Sequence, residues 1–204
     1  MGAEAYNLVL APPVEKRLHS WRTEVGARLS ALEASSTLTI ESLQSDDVFI
    51  DVMVKASQIA VSTHAAEKLE ALRNAVINSA LGIDIDSARQ QLFLRYVDEL
   101  TPIHLQVLRF MQNTEAGSIA AGVPPRSIVV AGSLLHVIKD AFPALVKDEG
   151  FVKVIQSDLD TRGLIASLGR GFASRDNRMT TSHGDAFLAF VSRPATEFNE
   201  AATT

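Results

Sequence analysis

Five histidines, His19, His64, His104, His136 and His183, are the first residues whose chemistry asks for a place. Two imidazoles at HxxxH spacing would share one helical face and hold a metal, and no pair here is so spaced. Each therefore reads as a solvated or hydrogen-bonded structural residue. Asp84-Ile85-Asp86 opens like a calcium loop, but neither the glycine of loop position six nor the glutamate of position twelve follows. Helix capping is the better account of those carboxylates. Ser182-His183-Gly184-Asp185 holds the residue types of a hydrolase triad, yet neighbours at one helix start cannot converge on a point as a triad must. Gly169-Arg170-Gly171-Phe172-Ala173-Ser174 echoes part of GxGxxG, but it precedes a strand pattern instead of joining a strand to a helix. There is no P-loop. The absence of cysteine excludes a disulfide scaffold, a thiol nucleophile, an Fe–S cluster and Cys-ligated zinc. These residues point to no catalysis, no cofactor, no metal and no small-molecule ligand.

The elements that would position them are mostly helices. Pro12 and Pro13 sit where a helix accepts proline, and Val14, Leu18, Trp21, Val25, Leu29 and Leu32 then recur at steps of three and four. That spacing predicts one long amphipathic helix. After a Ser/Thr-rich turn at 35–39, Ser45-Asp46-Asp47 offers N-cap oxygens, and Val48, Phe49, Val52, Met53, Ala56 and Ile59 form the next stripe. A further helix carries Leu69, Leu72, Val76, Ile77 and Ala80 and ends near Gly82. Another starts after Asp84 or Asp86 and carries Ala88, Leu92, Phe93, Tyr96, Val97 and Leu100. Glu67, Lys68, Glu70, Arg73 and Asn74 read as a solvated face. A sharper reading puts Arg73 and Asn74, with Asn78 one turn on, in a polar contact between helices or subunits, because asparagine is mildly unfavourable in mid-helix. Thr101-Pro102 is an N-cap with proline at the first helical position, opening a helix through Met111. The stretch from Asn113 to Ser127, rich in Gly, Ala, Ser and Pro, reads as an insertion. Helices follow over Ser133–Ala141 and Ala144–Thr161, the second closed by Gly163. Two short strands, Leu164–Leu168 and Arg178–Thr181, flank a turn-rich tip, and Ser182 opens a last helix.

A helix beginning LTPIHLQVLRF, a later one ending DLDTRGLIAS, a two-stranded loop and a closing RMTTSHGDAFLAFV resemble the winged-helix domain. The resemblance runs from Leu100 to Val191, and the insertion at 113–127 departs from it. It implies that Ala144–Thr161 would enter a DNA major groove, with Lys147, Lys153 and Gln156 as its polar readers, while the wing tip touches the backbone. Arg162, Arg170, Arg175 and Arg178 against Asp176 give that wing a local charge of +3. The helix itself carries Lys147 and Lys153 against Asp148, Glu149, Asp158 and Asp160, a local charge of −2 that opposes phosphate contact. The run KLEALRNAVINSAL, with LTPIHLQVLRF after it, is similar to uncharacterised helical bacterial proteins of the abortive-infection alpha kind. That similarity implies an association with phage defence and no known reaction.

With 204 residues and 47% apolar content the chain can build one domain or two small ones, and a net charge of −5 gives no general pull toward nucleic acid. Glu4 stands where a signal peptide needs a basic region, and Tyr6 where a myristoylation site needs Ser or Thr. The most apolar stretch, Ile128 to Ile138, is interrupted by Gly132, Ser133 and His136, so no membrane contact is expected and the cytoplasm is the expected compartment. The resulting expectation is a mainly α protein: an N-terminal helical bundle over 1–100, a winged-helix-like domain with a small two-stranded β wing over 101–192, and a flexible tail over 193–204. Its expected role is that of a non-catalytic binding or adaptor protein, with a protein partner or a homodimer favoured over DNA. A DNA-binding regulator using the arginine wing is the alternative.

Overall fold

The computed structural model describes residues 2–114, 116–117, 122, 138, 141–142, 148–166 and 178–194, with side chains from Pro13 onward. Several expected features lie outside the described residues: most of the 113–127 insertion, nearly all of the Ser133–Ala141 helix, Lys147, the wing tip with Arg170 and Arg175, and the tail from 195. The chain divides into two compact units: Met1–Leu100 with the chain from Ala189 onward, and Thr101–Leu188.

The first unit holds α1 (Gly2–Ala34), α2 (Ile40–Leu43), α3 (Asp47–Ser62), α4 (Ala66–Ala80) and α5 (Ser87–Glu99). Two of the starts follow from capping oxygens: Asp46 Oδ1 accepts the Phe49 N–H at 3.0 Å, and Asp86 Oδ1 the Arg89 N–H at 3.0 Å. Each such cap contributes about 1 kcal/mol. Two of the ends are Schellman closures. Ser36 and Gly82, both at positive φ, donate back to Glu33 and Ser79, and the residues after them donate to Leu32 and Asn78. Contrary to the expectation that the first helix opens at the prolines, α1 begins ten residues earlier, at Gly2. The run from Ala3 to Ala11 contains no helix breaker, so the helix continues upstream. What the prolines remove is two N–H donors, which the Leu8 and Val9 carbonyls would otherwise have accepted.

The buried stripe of α3 is Phe49, Val52, Ala56, Ile59 and Ala60. Val48 and Met53, expected in that stripe, sit off it: Val48 is exposed and Met53 half-buried, because the stripe turns toward Ala60. Helix α4 packs against α1, α3 and α5, and its residues 74–79 are all buried. A helix enclosed on that many sides has little room for a solvated face. The expected exposure of Glu67, Lys68, Glu70, Arg73 and Asn74 is corrected accordingly. None of the five is exposed, and Asn74 is 3% accessible.

The second unit holds α6 (Pro102–Gln112), α7 (Glu149–Thr161) and the start of α8 (Ser182–Val191), whose last three residues belong to the first unit. Helix α7 begins at Glu149 instead of Ala144, since Asp148 is its N-cap and accepts the Phe151 N–H at 2.9 Å. It ends as expected on Gly163, at φ +68°, which donates to the Asp160 carbonyl while Leu164 donates to Leu159. Leu105, Leu108 and Met111 of α6 form a buried core with Val152, Ile155 and Leu159 of α7 and Phe187 of α8. Beyond Gly163 the chain pairs antiparallel with residues 179–181: Ala166 donates to Met179, Thr181 to Leu164, and Ile165 bridges Thr180. Met179 also donates to Met111, meeting one of the carbonyls that end α6. Among the described residues there is no regular strand, and no helix is long and apolar enough to cross a membrane.

Gly184 fixes the seat of α8. A Cβ there would lie on the Leu164 carbonyl, well inside van der Waals contact with its oxygen and carbon. Only glycine lets the first turn of α8 approach the 163–165 backbone this closely.

Candidate functional site

Three polar clusters stand out, one in the first unit and two in the second. In the first, α1 and α4 face each other across charged and amide side chains. Glu70 accepts from Arg28 at 2.7 Å and from Arg73 at 2.8 Å, and Arg73 reaches on to Glu24 at 2.8 Å. Arg28 also donates to Asn74 Oδ1 at 2.8 Å, so the Asn74 amide is oriented with its nitrogen toward α8. There it donates to the Val191 carbonyl at 3.1 Å. One turn on, the Asn78 Nδ2 lies within 3.1 Å of the Ala189, Phe190 and Ser192 carbonyls, two hydrogens shared among three acceptors. Of the three residues singled out in the sequence, Asn74 and Asn78 thus meet at the C-terminal end of α8, while Arg73 turns the other way, to Glu24 and Glu70. Burial pushes the Glu70 carboxyl up, but hydrogen bonds and charge from Arg28 and Arg73 outweigh it and hold the group below its ordinary value.

The same device closes two more helices of this unit. Arg17 Nη1 donates to the Val61 and Thr63 carbonyls at 3.1 and 3.0 Å, ending α3. Lys68 Nζ donates to the Asp98 carbonyl at 2.6 Å, near the end of α5. Burial lowers the Lys68 ammonium below its usual range, partly offset by the Asp98 charge. None of α3, α5 and α8 carries a basic residue in its own last turn, so the orphan carbonyls are met from other helices.

An open groove of about 510 Å3 runs between α1 and α3, walled by Leu18, Val25 and Leu29 on one side and Met53, Val54 and Val61 on the other. Val54 is 51% exposed and Ile50 39%. Arg22 is the single charged side chain in the wall. Leu18, Val25 and Leu29 of the α1 wall belong to the apolar stripe expected of the first helix, whereas Arg22 and the α3 wall carry no signal of a groove in the sequence.

In the second unit the candidate nucleic-acid residues are held by their own neighbours. Arg162 Nη1 donates to the Asp158 carbonyl at 3.2 Å and lies 3.7 Å from its carboxylate. Arg178 pairs with Asp185 at 3.0 Å, and Asp185 also accepts from Thr180 at 2.6 Å and Gln112 at 3.3 Å. Lys153 pairs with Glu149 at 3.1 Å one turn away. Gln156 is half-buried on α7. The outward residues of α7 include Phe151, 36% exposed, and Val154, 51% exposed, which offer apolar surface where a base-reading helix would offer Arg, Asn or Gln.

The third cluster joins the expected N-cap Thr101 to His104 and to Asp158, a set of partners the sequence did not show. His104 is 4% exposed, with Nδ1 2.7 Å from the Thr101 hydroxyl and Nε2 3.3 Å from Asp158 Oδ2. The order hydroxyl, imidazole, carboxylate is that of a proton relay, but Thr101 is the N-cap of α6 and its backbone N–H also points to Nδ1, at 3.4 Å. The arrangement is a capping box with histidine at N3. The signal in the sequence was Thr101-Pro102-Ile103-His104, a capping spacing with an unusual final residue. Among the described residues no three His, Asp or Glu side chains gather as metal ligands. No family model, no curated protein and no solved structure matches the chain.

Proposed function

We propose that the chain is a non-catalytic binding or adaptor protein that works through protein–protein contacts in the cytoplasm, and that a second copy of the chain is its first partner. The observation that carries this reading is the α1–α3 groove with Val54 exposed in its wall, together with the exposed Ile50 on the same helix. An apolar trough flanked by half-exposed aliphatic side chains suits the stripe of another helix. Its charges suit a copy of itself: Arg22 stands in the α1 wall and Asp51 is exposed on α3, so a two-fold pairing offers each arginine an acidic partner. Light scattering over micromolar concentrations tests it. A dimer that Val54→Asp converts to a monomer is the expected result, and a wild-type chain that stays monomeric throughout overturns self-association.

The finer fold reading belongs to the same proposal: the first unit as a helical bundle, and Thr101–Leu188 as a winged-helix-like domain. The antiparallel pairing of 164–166 with 179–181 directly after the Gly163 closure supports the second assignment. It also keeps a DNA-binding alternative alive, since that pairing closes a segment containing Arg170 and Arg175. Against it stand the carboxylate partners of Arg162 and Arg178. An anisotropy titration at low and moderate salt, with Arg170, Arg175 and Arg178 all changed to Ala, decides it. Duplex binding that the triple variant loses favours the alternative, and no binding at low salt removes it. A place in bacterial phage defence rests on the sequence resemblance alone.

A further inference from the structure

We propose that His104 makes the start of α6 a proton-sensitive cap, so that charging the imidazole breaks the capping contact to Thr101 and destabilises the fold. A capping box normally places Glu or Gln at N3, where the acceptor is a carboxylate or amide oxygen. Here the acceptor is His104 Nδ1, which faces both the Thr101 hydroxyl at 2.7 Å and the Thr101 N–H at 3.4 Å. An imidazole nitrogen accepts only while it carries no hydrogen. With Nδ1 accepting, the neutral ring carries its proton on Nε2, 3.3 Å from Asp158 Oδ2 on α7 but not aligned with it as a hydrogen bond. A second proton must go to Nδ1. The Thr101 hydroxyl can then turn to accept, but the Thr101 N–H is left facing another N–H.

The groups around the ring set the direction of the response. On α6 the neighbour is the uncharged Thr101. From α7 come the Asp158 carboxylate, the Arg162 guanidinium and the edge of the Phe151 ring, 6.5 Å away between centroids. Burial opposes the charged ring most strongly, the Asp158 carboxylate favours it, and Arg162 opposes it, so the imidazole is held below its ordinary 6.5. For a base held low in the folded state, the unfolded chain binds the proton first. The stabilisation is therefore complete above about pH 6.5 and is lost as the pH falls below it. The Asp158 carboxylate, which also lies 3.7 Å from Arg162, attracts the charged ring and so offsets part of the loss at the cap.

The test is thermal and urea unfolding of the full chain between pH 8 and pH 5 for wild type, His104→Gln and Asp158→Asn, with the His104 imidazole titration followed by NMR in the wild type. His104→Gln keeps a capping acceptor that does not titrate, so its loss of stability from pH 8 to pH 5 is smaller than the wild type's. The wild-type imidazole titrates below 6.5, and Asp158→Asn lowers that midpoint further by removing the favourable charge. Equal pH dependence in wild type and His104→Gln overturns the proposal. So does an imidazole midpoint at or above 6.5, which can be read even where the glutamine variant does not fold.

Discussion

In the first unit, beside local pairs such as Arg89 with Asp86 and Arg95 with Glu99, a set of polar contacts joins residues far apart in the chain: Arg28 with Glu70, Arg73 with Glu24, and Asn78 with the carbonyls of residues 189, 190 and 192. In the second, the described lysine and arginine ion pairs reach only four to seven residues, as Lys153 does with Glu149, Arg162 with Asp158 and Arg178 with Asp185, while the longer reaches are those of Asp158 to His104 and Asp185 to Gln112. The energetic consequences differ. A local pair on a helix surface contributes about 0.3–0.5 kcal/mol and says little about which helix packs on which. A buried amide that reaches another helix's terminal carbonyls is specific to one arrangement, and removing it strands acceptors out of water. The long-range polar contacts therefore define the packing of the first unit. In the second unit the local pairs mainly neutralise arginines that would otherwise face solvent or phosphate.

The largest effect expected from this contrast is at Asn78. Asn78→Leu keeps the branched shape of the side chain but removes both donors that serve the carbonyls at the end of α8, leaving them unsatisfied, at a cost of about 1–3 kcal/mol. Arg178→Ala, which breaks an exposed local pair, costs about 0.5 kcal/mol or less. Urea unfolding of the two variants side by side measures the difference, and comparable losses would break the comparison between the units.

Close packing in the second unit gives the next effect. Gly184→Ala drives a methyl into the Leu164 backbone, which cannot yield as a flexible side chain would. Overpacking of this kind costs about 1–3 kcal/mol. A melting temperature unchanged by the substitution would show that α8 is free to shift away from residue 164.

What could be read in advance divides along the same line. Asp46, Asp86 and Thr101 announce helix starts, and Gly82 and Gly163 announce ends, because capping is settled within four residues. The sequence also marks Asn74 and Asn78 as odd for a helix interior. It does not name their acceptors, which lie more than 110 residues on and exist only once α8 has docked. Val48 and Met53 were misplaced for a similar reason: helical periodicity fixes the width of a stripe, but the neighbouring helices decide its edge. The prolines misled by position, since proline is tolerated at a helix start without proving one. The sequence allows His104 to be a hydrogen-bonded structural residue but does not name its partners, because the ring lies between the Thr101 cap and Asp158, 54 residues on.

Acid separates the two units further. Glu70 is held below its ordinary value by Arg28 and Arg73 in spite of burial, so its contribution is complete above about pH 4.5 and is lost as the pH falls through the folded-state value. Its side chain is 37% exposed, and solvent screening limits the contribution to about 0.5–1 kcal/mol. Glu70→Gln should therefore lose that amount at pH 7 and approach the wild type as the pH falls below 4.5 and through the folded-state value, as followed by urea midpoints. A constant gap across that range would mean that Glu70 acts through shape alone and not through charge.

The smallest effect tests a feature common to both units. Three helices end in the same closure, with Ser36, Gly82 and Gly163 at φ +58°, +67° and +68°. Glycine adopts this conformation without cost, whereas a side chain pays about 1 kcal/mol for it. Ser36 is exposed, so its hydroxyl lies at the surface and not in a packed core. Ser36→Gly should relieve the strain and lose some of the gain to the greater freedom of glycine in the unfolded chain, for a net stabilisation of about 0.5 kcal/mol. Gly163→Ser, the same exchange in reverse, should cost a similar amount, because an added Cβ at Gly163 meets nothing within 4 Å and only the backbone conformation is at stake. If the two exchanges differ in size under urea unfolding, the excess belongs to the surroundings: the C-terminus of α1 in one unit, or the turn from α7 into residues 164–166 in the other.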